Sequence, residues 1–232
     1  MQQNGRPPPG RAIVKGRFFS LLVFLLIMLA IQPLDEVIGW YRIFVDITIT
    51  AILVSAINAI SQKKTHAIVG ILLAMPVLVS IWVAYFFTHP RLQMAGIASG
   101  IVFFVFIIIL CLRFIFSRNE ITKDLIAGAA VVYLLAAVMW AHAYRLIEMI
   151  RPGSFAVALP QSLGERASFL YYSFVTITTL GYGDIFPATT AAKSCAILEA
   201  VIGQLYLVIT VAWLVGNHIS QSLARKSGSD KS

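Results

Sequence analysis

Thr176-Ile177-Thr178-Thr179-Leu180-Gly181-Tyr182-Gly183-Asp184 lies between two long apolar runs near the C-terminal end of the sequence. Two glycines flanking an aromatic residue do not make a stable helix or strand facing lipid. Non-helical backbone at membrane depth is tolerated only where it is buried in protein or lines a wet cavity. Just upstream, Phe169-Leu170-Tyr171-Tyr172-Ser173-Phe174-Val175 supplies only about two apolar helical turns, too few to cross about 30 Å of hydrocarbon. Arg151, Pro152, Gly153, Pro160, Gly164, Glu165 and Arg166 also argue against a full span here. Ser162-Leu163-Gly164-Glu165 fits a capping box, so a short helix is expected over Arg166–Thr178. A short helix that enters and returns through an extended glycine-rich segment is a re-entrant loop.

Outward from this loop the chain reads as membrane-embedded. Of its 232 residues, 59% are hydrophobic and 12% charged, and the mean hydropathy is +0.86. A soluble domain carries about 25% charged residues, so an ordinary globule and a disordered chain are both excluded. Apolar runs are expected to form spans at Phe18–Leu34, Trp40–Ile60, Ala67–Phe87, Met94–Phe116, Ile121–Ile150 and Ala191–Asn217. The first is short, and its basic flank and apolar core also describe a signal peptide. It lacks a small-x-small cleavage pattern, which favours a span. The expected fold is therefore all-α, with six transmembrane helices and the re-entrant helix and loop between the fifth and sixth. With both termini cytoplasmic, twelve of the 18 Lys and Arg lie inside and six outside, in the sense of the positive-inside rule. The net charge of +8 thus reports topology rather than a nucleic-acid partner. Cys111 and Cys195 sit inside apolar runs, so neither a disulfide framework nor a zinc site is expected.

Thr178-Thr179-Leu180-Gly181-Tyr182-Gly183-Asp184 resembles the selectivity-filter signature of tetrameric potassium channels, with Leu180 where that family's signature is written with Val. The resemblance extends over residues 121–220 and implies an outer helix, a pore helix, a filter and an inner helix. It implies a homotetramer in a cell (plasma or inner) membrane, with K+ as the permeant ion, membrane lipid as surroundings and no cofactor. The chemistry is legible in the residue types. Replacing the hydration shell of a cation needs a close ring of oxygens, and the backbone carbonyls of Thr179, Leu180, Gly181 and Tyr182 can supply it if they point inward together. That geometry requires positive φ at some positions, which Gly181 and Gly183 adopt at little steric cost. Thr179 adds a hydroxyl at the inner end. Leu180 and Tyr182 are expected to point outward and brace against Tyr171, Tyr172 and neighbouring pore helices, with Val175 supporting the loop from the pore helix. Asp184 at the outer mouth would hydrogen-bond behind the filter or attract cations.

The chain then divides into a disordered cytoplasmic tail (1–17), a four-helix domain of unassigned role (18–118), a pore domain (119–220) and a cytoplasmic tail (221–232). A voltage sensor needs several arginines within one span. Leu92–Leu112 of the fourth run contains none, so gating by a charged helix is not expected. The few residues after Asn217 are not expected to hold a ligand-binding domain. Gly203 is the candidate gating hinge, with close helix packing as the alternative, and Gly216 is a weaker candidate. Asp46 is expected to pair with Arg42, or else to serve as an ion-sensing carboxylate. Asn58 and Gln204 are expected to hydrogen-bond between helices. His142, Arg145 and Glu148 read as a surface network and Pro76 as a kink, while Glu199, if buried, would demand a partner. No nucleophile, metal cluster or phosphate loop suggests an enzyme. The rival readings are a non-conducting regulatory or scaffold protein, a weakly selective cation channel, and a membrane enzyme built around Asp46, Asn58 and His66.

Overall fold

A computed structural model describes residues 16–31, 41–60, 64–87, 89–118, 121–158 and 165–229. Helices run over Arg17–Ala30 (α1), Tyr41–Ile60 (α2), Lys64–Val83 (α3), Pro90–Phe116 (α4) and Lys123–Ile150 (α5). A short strand, Phe155–Val157 (β1), precedes the helix Glu165–Ile177 (α6). The strand Ile185–Pro187 (β2) then leads into the helix Thr190–Ser229 (α7). The protein is an all-α membrane protein. Its helices α2, α3, α4, α5 and α7 are long and apolar enough to cross a bilayer. At 14 residues, α1 rises only about 21 Å, less than the expected run of Phe18–Leu34 would give. The last helix departs in the other direction, continuing through Ser229 beyond the end of the apolar run at Asn217.

Helix α5 joins the two halves, packing against α1 and α4 on one side and α6 and α7 on the other. Its start is well capped: the Thr122 hydroxyl accepts from the Leu125 amide at 3.2 Å. Asp124 in the first turn accepts the Phe18 amide of α1 at 3.3 Å, satisfying one of the donors a helix start leaves open. The main core gathers Leu21, Leu25, Leu53, Phe103, Ile107 and Leu135, all fully buried.

Small residues set how closely the first half packs. A Cβ on Gly96 would lie 2.0 Å from Ser80 Oγ, and one on Gly100 would lie 3.1 Å from the His142 ring. Helix α3 runs on through Pro76. Near it, the Ser99 hydroxyl of α4 donates to the Leu73 carbonyl at 3.0 Å.

The buried Asp46 accepts from the Tyr85 hydroxyl at 2.8 Å, a partner beyond the end of α3. The expected partner, the Arg42 side chain, lies outside the described residues. Asn58 is exposed on α2. It lines an open, mainly apolar groove with Ser20, Phe24 and Trp82, and not the interhelical bond expected of it.

Candidate functional site

A helix leaves its last four carbonyls without intrahelical donors, and in α6 each of these is used. The Phe174 carbonyl accepts the Thr178 amide at 3.1 Å and the Thr178 hydroxyl at 2.6 Å. The Val175 carbonyl accepts the amides of Leu180 (2.9 Å) and Gly181 (3.3 Å), and Thr176 accepts that of Thr179 (3.0 Å). The Ile177 carbonyl takes two side chains from neighbouring helices, Tyr133 Oη of α5 at 3.0 Å and Gln204 Nε2 of α7 at 3.5 Å. The loop after α6 therefore turns its amides back onto the helix that precedes it.

Its carbonyls are not used in the same way. Among the described residues, none of the carbonyls of Thr179, Leu180, Gly181, Tyr182 and Gly183 accepts a hydrogen bond. The backbone alternates: φ is +60° at Thr179, +59° at Gly181 and +77° at Gly183, with no positive φ at Leu180 or Tyr182. The glycines occupy this region readily. Thr179 does not, because a β-branched residue at positive φ is strained. That outlier lies in the loop, where strain persists only because the surrounding bonds over-determine it.

Asp184 closes the outer end. Its Oδ2 accepts from the Tyr171 hydroxyl at 2.8 Å and its Oδ1 from the Ile185 amide at 3.0 Å. Of the two roles expected of it, the hydrogen bond behind the loop is thus present. Burial, and then the bond to Asp184, pushes the Tyr171 phenol up to about 12, so Tyr171 remains the donor at neutral pH. Beyond Asp184, β1 and β2 pair antiparallel, with Phe155 opposite Pro187 and Val157 opposite Ile185. The ribbon is anchored to α5 by Glu148, whose carboxylate accepts the amides of Gly153 (2.7 Å) and Phe155 (3.1 Å).

The bracing differs from expectation. Leu180 and Tyr182 are 54% and 67% exposed, and Tyr171 stands near Tyr182. Tyr172 instead turns away into a buried aromatic cluster, with ring centroids 5.0 Å from Tyr144 and 5.4 Å from Phe155. Val175 acts through its carbonyl. Of the expected capping box, Ser162, Leu163, Gly164 and the side chain of Glu165 lie outside the described residues. Gly203 faces Ile177: a Cβ there would come within 2.5 Å of Ile177 Cγ1 and 3.2 Å of its carbonyl oxygen, while α7 continues unbroken. This is the close-packing alternative in physical form.

His142, Glu148 and Glu199 have partners that the sequence did not name. His142 points its ring into the Gly100 notch against Phe104, with centroids 5.3 Å apart, and Glu148 serves the ribbon. Glu199 is fully buried and holds the partners its burial demands, Tyr144 and Ser173. The ribbon itself had no sequence signal, since three-residue strands show no alternation. The Gly96–Gly100 notch did have one, because small residues four apart mark close helix packing.

A family of proteins described as ion channels matches residues 125–216, from the start of α5 to the inner half of α7. The potassium channel protein kcv of Paramecium bursaria Chlorella virus 1 is 29% identical over 80 residues, covering 34% of this chain and 84% of that protein. Over residues 125–216 the chain is similar to the pore-loop potassium channel superfamily. Two pore potassium channel c of Oryza sativa subsp. japonica is 34% identical over 87 residues, covering 34% of this chain but only 19% of that larger protein. No solved structure matches the chain. The ion channel match marks the protein as a channel and not an enzyme, and its long apolar helices mark it as a multi-pass membrane protein.

Proposed function

We propose that the chain is one subunit of a homotetrameric, potassium-selective channel that conducts K+ passively through the loop Thr178–Asp184. The observation that carries this reading is the divided backbone of that loop. The amides of Thr178, Thr179, Leu180 and Gly181 are tied to α6, while five successive carbonyls accept no hydrogen bond among the described residues. Such carbonyls are the groups that replace the hydration shell of a permeating ion in this superfamily. Thr179, Leu180, Gly181 and Tyr182 would then present their oxygens to K+, with the Thr179 hydroxyl at the inner end.

One chain contributes one oxygen to each layer, so several chains around an axis are needed to close a ring. Exposed apolar surface in the right place supports this. Ile197, Val201, Leu205, Val208 and Val215 of α7 are exposed, and α7 has the smallest buried share of the five long apolar helices. Together with Leu180 and Tyr182, this face suits contact with further copies of the chain. The absence of arginine from Leu92–Leu112 supports gating without a charged voltage-sensor helix. The charge bias supports termini on the cytoplasmic side of a plasma or inner membrane. Counting α1, the topology is six spans.

Purified protein in planar bilayers under opposed K+ and Na+ gradients tests the reading. A reversal potential following the K+ gradient is expected. A reversal potential indifferent to the choice of K+ or Na+ would make it a weakly selective cation channel, and no current would make it a scaffold.

A further inference from the structure

Behind the loop, three helices meet at one carboxyl group. Glu199 of α7 is 0% exposed. One of its oxygens meets the Tyr144 hydroxyl of α5 and the other the Ser173 hydroxyl of α6. The Ser173 oxygen also lies 2.7 Å from the Ala137 carbonyl of α5. A serine hydroxyl has one hydrogen to donate. The Ala137 carbonyl can only accept, and so can an ionised carboxylate. Both contacts of Ser173 are full two-centre hydrogen bonds only if Ser173 donates to Ala137 while Glu199 donates to Ser173.

The surroundings agree with an uncharged acid. Among the described residues Glu199 has no cationic partner. The titratable groups around it are Tyr133 and Tyr144 on α5, Tyr172 on α6, and Cys195 on α7 beside Tyr144. An ionised carboxylate buried without a cation is strongly disfavoured, whereas a neutral one with a donor and an acceptor is satisfied. The same seam continues one turn on, where Gly203 lies against Ile177 and Gln204 donates to the Ile177 carbonyl. The helix whose terminal carbonyls hold the loop amides is thus fastened to the inner helix at two levels.

We propose that Glu199 carries a proton as a neutral carboxylic acid and, through Ser173 and Tyr144, is a positioning residue that fixes α6 and thereby the spacing of the loop carbonyls. The positioning half rests on the reading of Thr178–Asp184 as a selectivity filter; the protonation half does not. In this arrangement an amide can replace the acid, since its NH2 donates to Ser173 and its oxygen accepts from Tyr144. An alanine can do neither, and it leaves both hydroxyl groups short of a partner.

Two readouts on the full-length channel test the proposal. Infrared spectra of wild type and Glu199→Gln are expected to differ by a protonated carboxyl C=O stretch present only in wild type; its absence would overturn the assignment whether or not the protein conducts. In bilayer recordings, Glu199→Gln is expected to keep the K+ to Na+ permeability ratio within about twofold of wild type, whereas Glu199→Ala loses about tenfold or more. Alkaline titration is expected to erode the selectivity of wild type before that of Glu199→Gln. Equal loss in Glu199→Gln and Glu199→Ala, or wild-type selectivity in Glu199→Ala, would overturn the positioning role. If Glu199→Ala fails to assemble, Ser173→Ala supplies the test, with reduced selectivity expected and unchanged selectivity contradicting the proposal. A wild-type protein that carries the infrared band but passes no K+ would count against the filter reading and leave the neutral acid standing.

Discussion

The two halves of the molecule use the same residue types for different ends. In α1–α4 the glycines at 96 and 100 are ordinary helical residues whose value is the missing side chain, which lets α4 approach Ser80 and His142. In the loop after α6, Gly181 and Gly183 have nothing within 4 Å of where a Cβ would sit, yet φ is positive at both. There the value is conformational. A Cβ at Gly96 or Gly100 presses on neighbours, and at Gly181 or Gly183 it distorts the chain that carries it. At the first pair glycine serves packing, and at the second it sets the course of the backbone.

That contrast can be broken most directly at Gly181. Gly181→Ala places a Cβ in the left-handed region, at a cost of about 1–2 kcal/mol in each chain. Its expected outcome is at least a roughly tenfold loss of K+ over Na+ permeability, measured by reversal potential, from an energy difference of about 1.4 kcal/mol or more. Gly96→Ala is the peripheral counterpart. A Cβ 2.0 Å from Ser80 Oγ forces α3 and α4 apart, with an expected loss of about 1–3 kcal/mol of stability. Thermal unfolding in detergent should register that loss while the ion selectivity of assembled channels stays at the wild-type value. Were selectivity to fall with it, the halves would be coupled more tightly than this contrast allows.

Tyr85→Phe sharpens the comparison at lower amplitude. It removes the donor at 2.8 Å from the buried Asp46, with an expected destabilisation of about 1–2 kcal/mol, again without change in the reversal potential. Gly216→Ala should have the smallest effect. It lies within α7 with ordinary φ and nothing within 4 Å of the added atom, so neutrality or a gain of up to about 1 kcal/mol is expected. A large loss of current in Gly216→Ala would mark that position as a bending point and revive the weaker hinge candidate.

How far the sequence could be read follows from which physical signals residue types carry. The long spans were legible because lipid demands continuous apolar runs, and the loop was legible because a run of about two turns ending in paired glycines cannot cross a membrane. The helical end of α7 was not, since hydropathy reports contact with lipid and says nothing about whether Gln221 onward stays helical. Thr179 at φ +60° was invisible, because a β-branched residue gives no hint of that conformation. The sequence pointed to a buried Glu199 in need of a partner, but not to Tyr144 and Ser173, which lie 55 and 26 residues away in the chain. At Asp46 the local helical spacing pointed to Arg42 and gave no sign of Tyr85, which lies beyond the end of α3.

The central claim concerns where five carbonyl groups point in the assembled protein. Crystals of the full-length channel grown with thallium in place of potassium would locate the permeant ion by its anomalous scattering. The account predicts a column of sites on a fourfold axis, bounded by the carbonyl oxygens of Thr179, Leu180, Gly181 and Tyr182. Thallium found elsewhere, or these oxygens hydrogen-bonded within the protein and away from any axis, would contradict it.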